Sequence, residues 1–171
     1  MKKLLFPLLV AATVVMAACS SQGSRSTDPA LAAAVKAKLD SKEYSVHFDR
    51  AIPNSASVDR ALPQSNRLLN LTSDYNIRIA GDSVYSYLPY FGEAYTAIIG
   101  RQDGLVFDGP ITGYKVSKGK QGAIDIKFSA RTFEDRYDYT LTVYPNGSSY
   151  LSVNPDRKSS ISFDGKLKMD E

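Results

Sequence analysis

Tyr137-Asp138-Tyr139-Thr140-Leu141-Thr142-Val143-Tyr144-Pro145-Asn146-Gly147-Ser148-Ser149-Tyr150-Leu151-Ser152-Val153 decides the fold. Asn-Gly between two strand-like runs is the strongest short-range hairpin signal, because both residues tolerate the positive φ that tight turns need. Val143-Tyr144 and Tyr150-Leu151 flank the pair at strand spacing. An antiparallel β-hairpin is therefore expected here, with strands over 137–144 and 149–153.

Working outward, the same texture covers most of the chain. Tyr44, Val46 and Phe48 alternate with Ser45, His47 and Asp49, the period-two pattern of a strand with one buried face. Further candidate strands lie at 68–72, 75–80, 83–88, 95–99, 105–107, 111–117, 123–131 and 159–163. Turn signals separate them at Gly81-Asp82, Asp103-Gly104, residues 118–122 and Asn146-Gly147, and residues 53–66 read as a loop or irregular crossing. Eleven tyrosines and no tryptophan suit a pleated, half-buried surface. No βαβ rhythm follows residue 50. The expected fold is mainly β, an antiparallel meander forming a barrel or a sandwich.

The N-terminal region reads differently. Lys2 and Lys3 precede an apolar run from Leu4 to Ala18, which ends in Met16-Ala17-Ala18-Cys19. This is a signal peptide over residues 1–18, too short for a good membrane span. The small residues before the chain's only cysteine resemble a bacterial lipobox, so Cys19 is the expected lipidation site. Acylation also accounts for one unpaired cysteine in an exported protein. Residues 19–27 form a small, polar, flexible tether, and residues 28–171 a single β-rich domain. Thr27 or Asp28 caps a helix with Pro29 in its first turn. Leu31, Val35 and Leu39 give that amphipathic helix, residues 28–41, one apolar stripe for packing on the domain or covering a sheet edge.

Charge and composition exclude several functions. Nineteen of the 21 Lys and Arg residues lie beyond residue 18, against all 18 acids, so the mature chain carries about +1. With no basic stripe beyond Lys115, Lys118 and Lys120, no nucleic-acid partner is expected. Gly81-Asp82-Ser83 resembles a hydrolase nucleophile block, but the only histidine, His47, lies upstream of it and no downstream base exists. A hairpin turn explains the triplet more simply. His47 is expected on the polar face of its strand, facing solvent. With no His/Cys cluster and no calcium loop, neither metal nor cofactor is expected. Asp103, Asp108 and Asp164 sit near glycines as turn residues. Glu134, Asp135 and Asp138 form the densest acidic group. They are read as a solvated connection beside Arg131 and Arg136, with a carboxylate-dependent enzyme as the rival reading. No enzymatic activity is expected.

Tyr85-Ser86-Tyr87-Leu88-Pro89-Tyr90-Phe91-Gly92-Glu93-Ala94-Tyr95 concentrates aromatics around two strand-breaking residues, Pro89 and Gly92. It reads either as a packed barrel corner or as a pocket mouth in which Tyr87, Tyr90, Phe91 and Tyr95 line a site for a small apolar ligand. The motif Tyr87-Leu88-Pro89-Tyr90-Phe91-Gly92, with Ala94-Tyr95, resembles the centre of an uncharacterised lipoprotein domain common in Bacteroidetes, domain of unknown function 4251. Agreement extends to Phe48, Ala51-Ile52-Pro53, Gly81-Asp82, Gly104-Leu105-Val106-Phe107, Asn146-Gly147 and residues 161–165. The resemblance implies one compact β-rich domain on an envelope lipoprotein and conveys no activity. It also makes Asp82-Ser83-Val84 similar to an O-glycosylation acceptor in that phylum, at Ser83. The expected protein is a cell-envelope lipoprotein held by its lipid in the outer membrane, facing the periplasm. It would be a non-enzymatic binding module, or alternatively a scaffold for an envelope protein.

Overall fold

The computed structural model describes residues 28–54, 69–72, 74–91, 104–133 and 135–169. A helix, α1 (Pro29–Asp40), precedes nine strands: β1 (Glu43–Pro53), β2 (Leu69–Asn70), β3 (Asn76–Ala80), β4 (Ser83–Pro89), β5 (Gly104–Lys118), β6 (Ile124–Arg131), β7 (Arg136–Val143), β8 (Ser148–Pro155) and β9 (Ile161–Leu167). Each strand from β3 to β9 pairs antiparallel with the next. β1 pairs with β3 through Glu43–His47 and with β9 through Val46–Pro53, which closes the meander. The result is an eight-stranded antiparallel barrel, with the two-residue β2 added on β1 at Arg50 and Ala51. The barrel is thus the outcome of the barrel-or-sandwich alternative.

Alternation along the strands sends one set of side chains inward. Val46, Ile77, Val84, Leu105, Leu141 and Phe163 are fully buried. Eight strands enclose a lumen just wide enough for side chains to fill, and large rings fill it here. Phe128 stacks on Tyr139 with centroids 4.7 Å apart, and Phe48 leans on Phe163 at 5.6 Å. Inward hydroxyls are bonded: Ser86 Oγ donates to the Leu105 carbonyl at 2.7 Å, and Tyr44 and Tyr114 meet hydroxyl to hydroxyl at 3.2 Å. Burial raises the Tyr44 and Tyr139 phenol pKa values well above their ordinary range, as it also does, less far, for Tyr137.

Asp28 caps α1 by accepting from the Ala30 N–H at 2.9 Å, and Pro29 opens the first turn. Val35 and Leu39 are buried in the core, while Leu31 stays more than a third exposed, so the apolar stripe is only partly covered. Val35 reaches to 4.0 Å of where a Cβ on Gly147 would stand, which lays α1 beside the β7–β8 turn. That end of the barrel also carries the β3–β4 turn, where the Gly81 N–H donates to the Lys42 carbonyl, and the β5–β6 turn, where Gly122 abuts Pro145. The opposite end carries Asn54, Tyr90, the Thr132–Asp135 turn and Ser159.

Several boundaries differ from the sequence reading. The separate strands at 105–107 and 111–117 are one strand, β5. Pro110 lies where its β4 partner ends, opposite Ser83, and the β6 pairing starts only at Ile111, so its missing N–H breaks no ladder. A register shift between Thr112 and Lys115, with Gly113 at φ +67°, bends the rest of the strand. Asn146-Gly147 does make a hairpin, but the loop spans Pro145, Asn146 and Gly147. The Gly147 N–H donates to the Tyr144 carbonyl at 2.9 Å, and Gly147 alone has positive φ, at +81°. Pro145 presets the first turn residue, giving a type I turn followed by a left-handed glycine. Gly81-Asp82 is a two-residue turn with Gly81 at φ +59°, as a hairpin reading of Gly81-Asp82-Ser83 requires. The candidate strand 95–99 and the crossing at 55–66 lie outside the described residues, as do the signal peptide and the tether.

Candidate functional site: a cleft on the outer wall

The site grows from an interruption in one barrel strand. β2 and β3 lie along the same edge of β1, opposite Arg50–Ala51 and Glu43–His47. Between them the chain leaves and rejoins that edge: the Leu71 N–H donates to the Asp49 carbonyl, and the Phe48 N–H to the Tyr75 carbonyl, both at 2.9 Å. The displaced segment walls a cleft of about 400 Å³ lined by Phe48, Leu71, Thr72, His47, Asp74 and Lys166, with Asp49 beside them. That volume falls within the range of small-molecule sites, and the lining is largely polar, with Leu71 as its apolar side chain.

Charge in the cleft is mixed. His47 Nδ1 bonds Asp74 Oδ1 at 2.8 Å across the mouth, and the His47 side chain is 34% exposed. Asn76 Nδ2 donates to the Asp74 carbonyl at 2.8 Å and steadies the loop. Lys166 stands directly opposite His47 in the β1–β9 ladder and is exposed.

The cleft continues into an aromatic surface. One rung of the barrel runs Lys166, His47, Asn76, Tyr87, Val106 from β9 to β5. Tyr87 is 46% exposed and stacks on Tyr75 with centroids 5.3 Å apart. On the next outward rung Arg78 lies over the Tyr85 ring at 4.1 Å. Val106, more than half exposed, extends the apolar strip.

The four aromatics singled out in the sequence are separated by the fold. Tyr87 joins the outer-wall surface, and Phe91 is exposed near the barrel end. Tyr90 is buried, its hydroxyl within 2.9 Å of Ser159 Oγ and 3.1 Å of the Ser159 carbonyl, with Lys158 over its ring. Tyr90 is thus packed rather than turned to an opening. Tyr95 and the lipidation candidate Cys19 lie outside the described residues. Ser83, half-buried, opens β4 beside the exposed Asp82.

The acidic group does not gather into one site among the described residues. Asp138 accepts from Ser129 Oγ at 2.6 Å and from Arg136 at 3.0 Å on the outer face of β7. Asp135 is buried and accepts the backbone N–H groups of Arg136 and Arg157, which ties the β6–β7 turn to the β8–β9 connection. Asp164 pairs with Arg50 across the β1–β9 seam. Asp108 sits within β5, not in a turn, and Glu134 and Asp103 lie outside the described residues. Sequence reasoning placed His47 on the outward face but missed Asp74 and Lys166. Both are far from it in the chain, and no local pattern marks them.

Fold and site together define an eight-stranded antiparallel barrel with a packed lumen and its cleft on the outer wall. The family model "Domain of unknown function (DUF4251)" matches residues 27–167, and the chain belongs to this family. The chain is also similar to a crystallised DUF4251 family protein from Bacteroides eggerthii DSM 20697. The two share 15% identity over 82% of this chain and 88% of the other, with a TM-score of 0.59. At that identity the likeness concerns the fold alone. No curated protein shows a significant match.

Proposed function

We propose that this chain is a lipid-anchored envelope protein whose barrel binds a small ligand on its outer wall, without enzymatic turnover. The anchor is an acylated Cys19, placing the domain at the outer membrane on the periplasmic side. The observation that carries the binding reading is the cleft at the β2–β3 interruption. It combines the apolar side chain of Leu71 with the polar groups of Thr72, His47, Asp74 and Lys166, and adjoins the Tyr75–Tyr87 stack, whose Tyr87 ring is exposed. A filled lumen moves the expected ligand from the barrel interior to this wall. The ligand class that fits is one with an apolar or ring-like body and a few polar substituents. The separation of Asp138, on the outer face of β7, from Asp135, buried in the β6–β7 turn, supports a non-enzymatic role, since the two do not converge on one cleft.

Native mass spectrometry of the chain purified from its host tests the reading. A bound small molecule retained by the wild type and lost in both Leu71→Arg and Tyr87→Ala, with thermal stability preserved, is the expected result. A chain that carries no ligand, or retains it in both variants, overturns it.

A further inference from the structure

We propose that the barrel end bearing α1 and the β5–β6 hairpin is a docking face for an anionic lipid surface. The first observation is electrostatic. Lys115 and Lys127 stand directly opposite each other in the β5–β6 ladder, both exposed. Like charges in that position repel, and such pairs destabilise a sheet. Neither has an ion-pair partner among the described residues. Arg131 and Arg136, opposed in the same way at the other end, differ because Asp138 neutralises Arg136 at 3.0 Å. Lys118 and Lys120 continue the positive charge into the hairpin turn, against one hairpin carboxylate past Pro110, Asp125, which accepts from Thr142 Oγ1 at 2.7 Å. For a mature chain near neutrality, this is a local surplus.

The second observation is shape. Beyond Pro110, β5 has lost its β4 neighbour and pairs only with β6, so its outer edge lies open at this end of the barrel. Val116 on it is 55% exposed, offering apolar contact beside the lysines. The third is connectivity. Tyr114 of the hairpin meets Tyr44 and lies under the ammonium of Lys42, the residue that follows α1 and its C-cap. The hairpin and α1 thus share one end of the barrel. Nine residues separate Cys19 from Pro29, a reach of about 30 Å when extended, which is long enough to let this end meet the headgroups when Cys19 carries a lipid. Charge attraction then acts once the face is within about a Debye length, 8–10 Å. The outer-wall cleft then stands on the flank of a domain held end-on, open to the aqueous space.

The charge argument does not require acylation, and the experiment is chosen to keep the two apart. The full mature chain carrying Cys19→Ser is sedimented with vesicles of phosphatidylcholine alone or of phosphatidylcholine mixed with phosphatidylglycerol. Binding to the mixed vesicles only, reversed by raised salt, is expected. Lys115→Gln with Lys127→Gln should weaken it about thirtyfold, since each lysine near such a surface contributes roughly fivefold. Arg131→Gln, at the other end, should leave it unchanged. Equal binding to both vesicle types, no binding to either, or insensitivity to the lysine pair overturns the proposal. So does capture of a soluble acidic polymer without vesicle binding, which would assign the patch to another partner. A failure here leaves the acylation and the cleft untouched, as the first is read by fractionation of Cys19→Ala and the second by native mass spectrometry.

Discussion

Tyrosine hydroxyls buried in the lumen set how the barrel responds to alkali. Tyr44 and Tyr139 keep their protons in the folded state to pH values well above those of an exposed phenol, chiefly through burial. Between the unfolded pKa of about 10 and the raised folded value, the unfolded chain binds fewer protons than the native one. Stability is then fully present below pH 10 and falls as pH rises, by about 1.4 kcal/mol per pH unit for each such tyrosine. Denaturant titrations across this range should show a shallower decline in Tyr139→Phe than in the wild type. An unchanged slope would place the alkaline sensitivity elsewhere. The residue scale also separates Tyr90 from Tyr87, which the sequence offered as equals. Tyr90→Ala removes a buried ring and should cost about 3–5 kcal/mol. Tyr87→Ala loses mainly one surface stacking partner, about 1 kcal/mol. Chemical denaturation of the two variants side by side checks the difference.

At the scale of elements, the barrel depends on its closing seam. Gly165 in β9 faces Phe48 where β1 shifts register before Arg50. A Cβ there would stand 2.0 Å from the His47 carbonyl oxygen and 2.8 Å from the Phe48 ring. The collision is largely with backbone, so Gly165→Ala should cost at least about 3 kcal/mol, the top of the overpacking range, and loosen β1 from β9. Hydrogen exchange is the direct readout: protection should fall first at residues 46–53 and 161–167, and uniform loss across all strands would argue against a local seam. The same seam supports the cleft, since His47 and Lys166 are neighbours in it. Loosening it should also weaken any ligand held there. The outer half of β5 behaves differently, because past Pro110 it pairs with β6 only. Its Gly113 bulge and lysines blunt an otherwise open edge against pairing with other chains.

For the whole molecule, the proposed anchor and the proposed binding cleft can be tested separately. Cys19→Ala should release the protein into the soluble periplasm or the medium while leaving its melting temperature unchanged, because the buried core lies within the barrel and α1. Fractionation followed by a thermal melt tests both halves of that statement, and a membrane-bound Cys19→Ala chain would remove the lipid anchor from the proposal. In the proposed end-on orientation the cleft would lie on the flank, where ligand access would not depend on distance from the membrane.

Local chemistry alone determined the strands, most of their turns and the helix cap. Period-two burial at Tyr44, Val46 and Phe48, the Gly81-Asp82 turn, and Asp28 before Pro29 each act within a few residues of themselves. The motif around Tyr87–Gly92 was sufficient to recognise the family. Closure into a barrel was not legible, because it rests on β1 meeting β9 more than a hundred residues away and on large rings filling the lumen they enclose. The unity of β5 was hidden by Pro110, whose effect depends on whether a partner strand still needs its N–H. The candidate site was hidden for the same reason. His47, Asp74 and Lys166 carry no shared spacing in the chain, and only the β1–β9 register and the displaced segment before β3 bring them to one cleft.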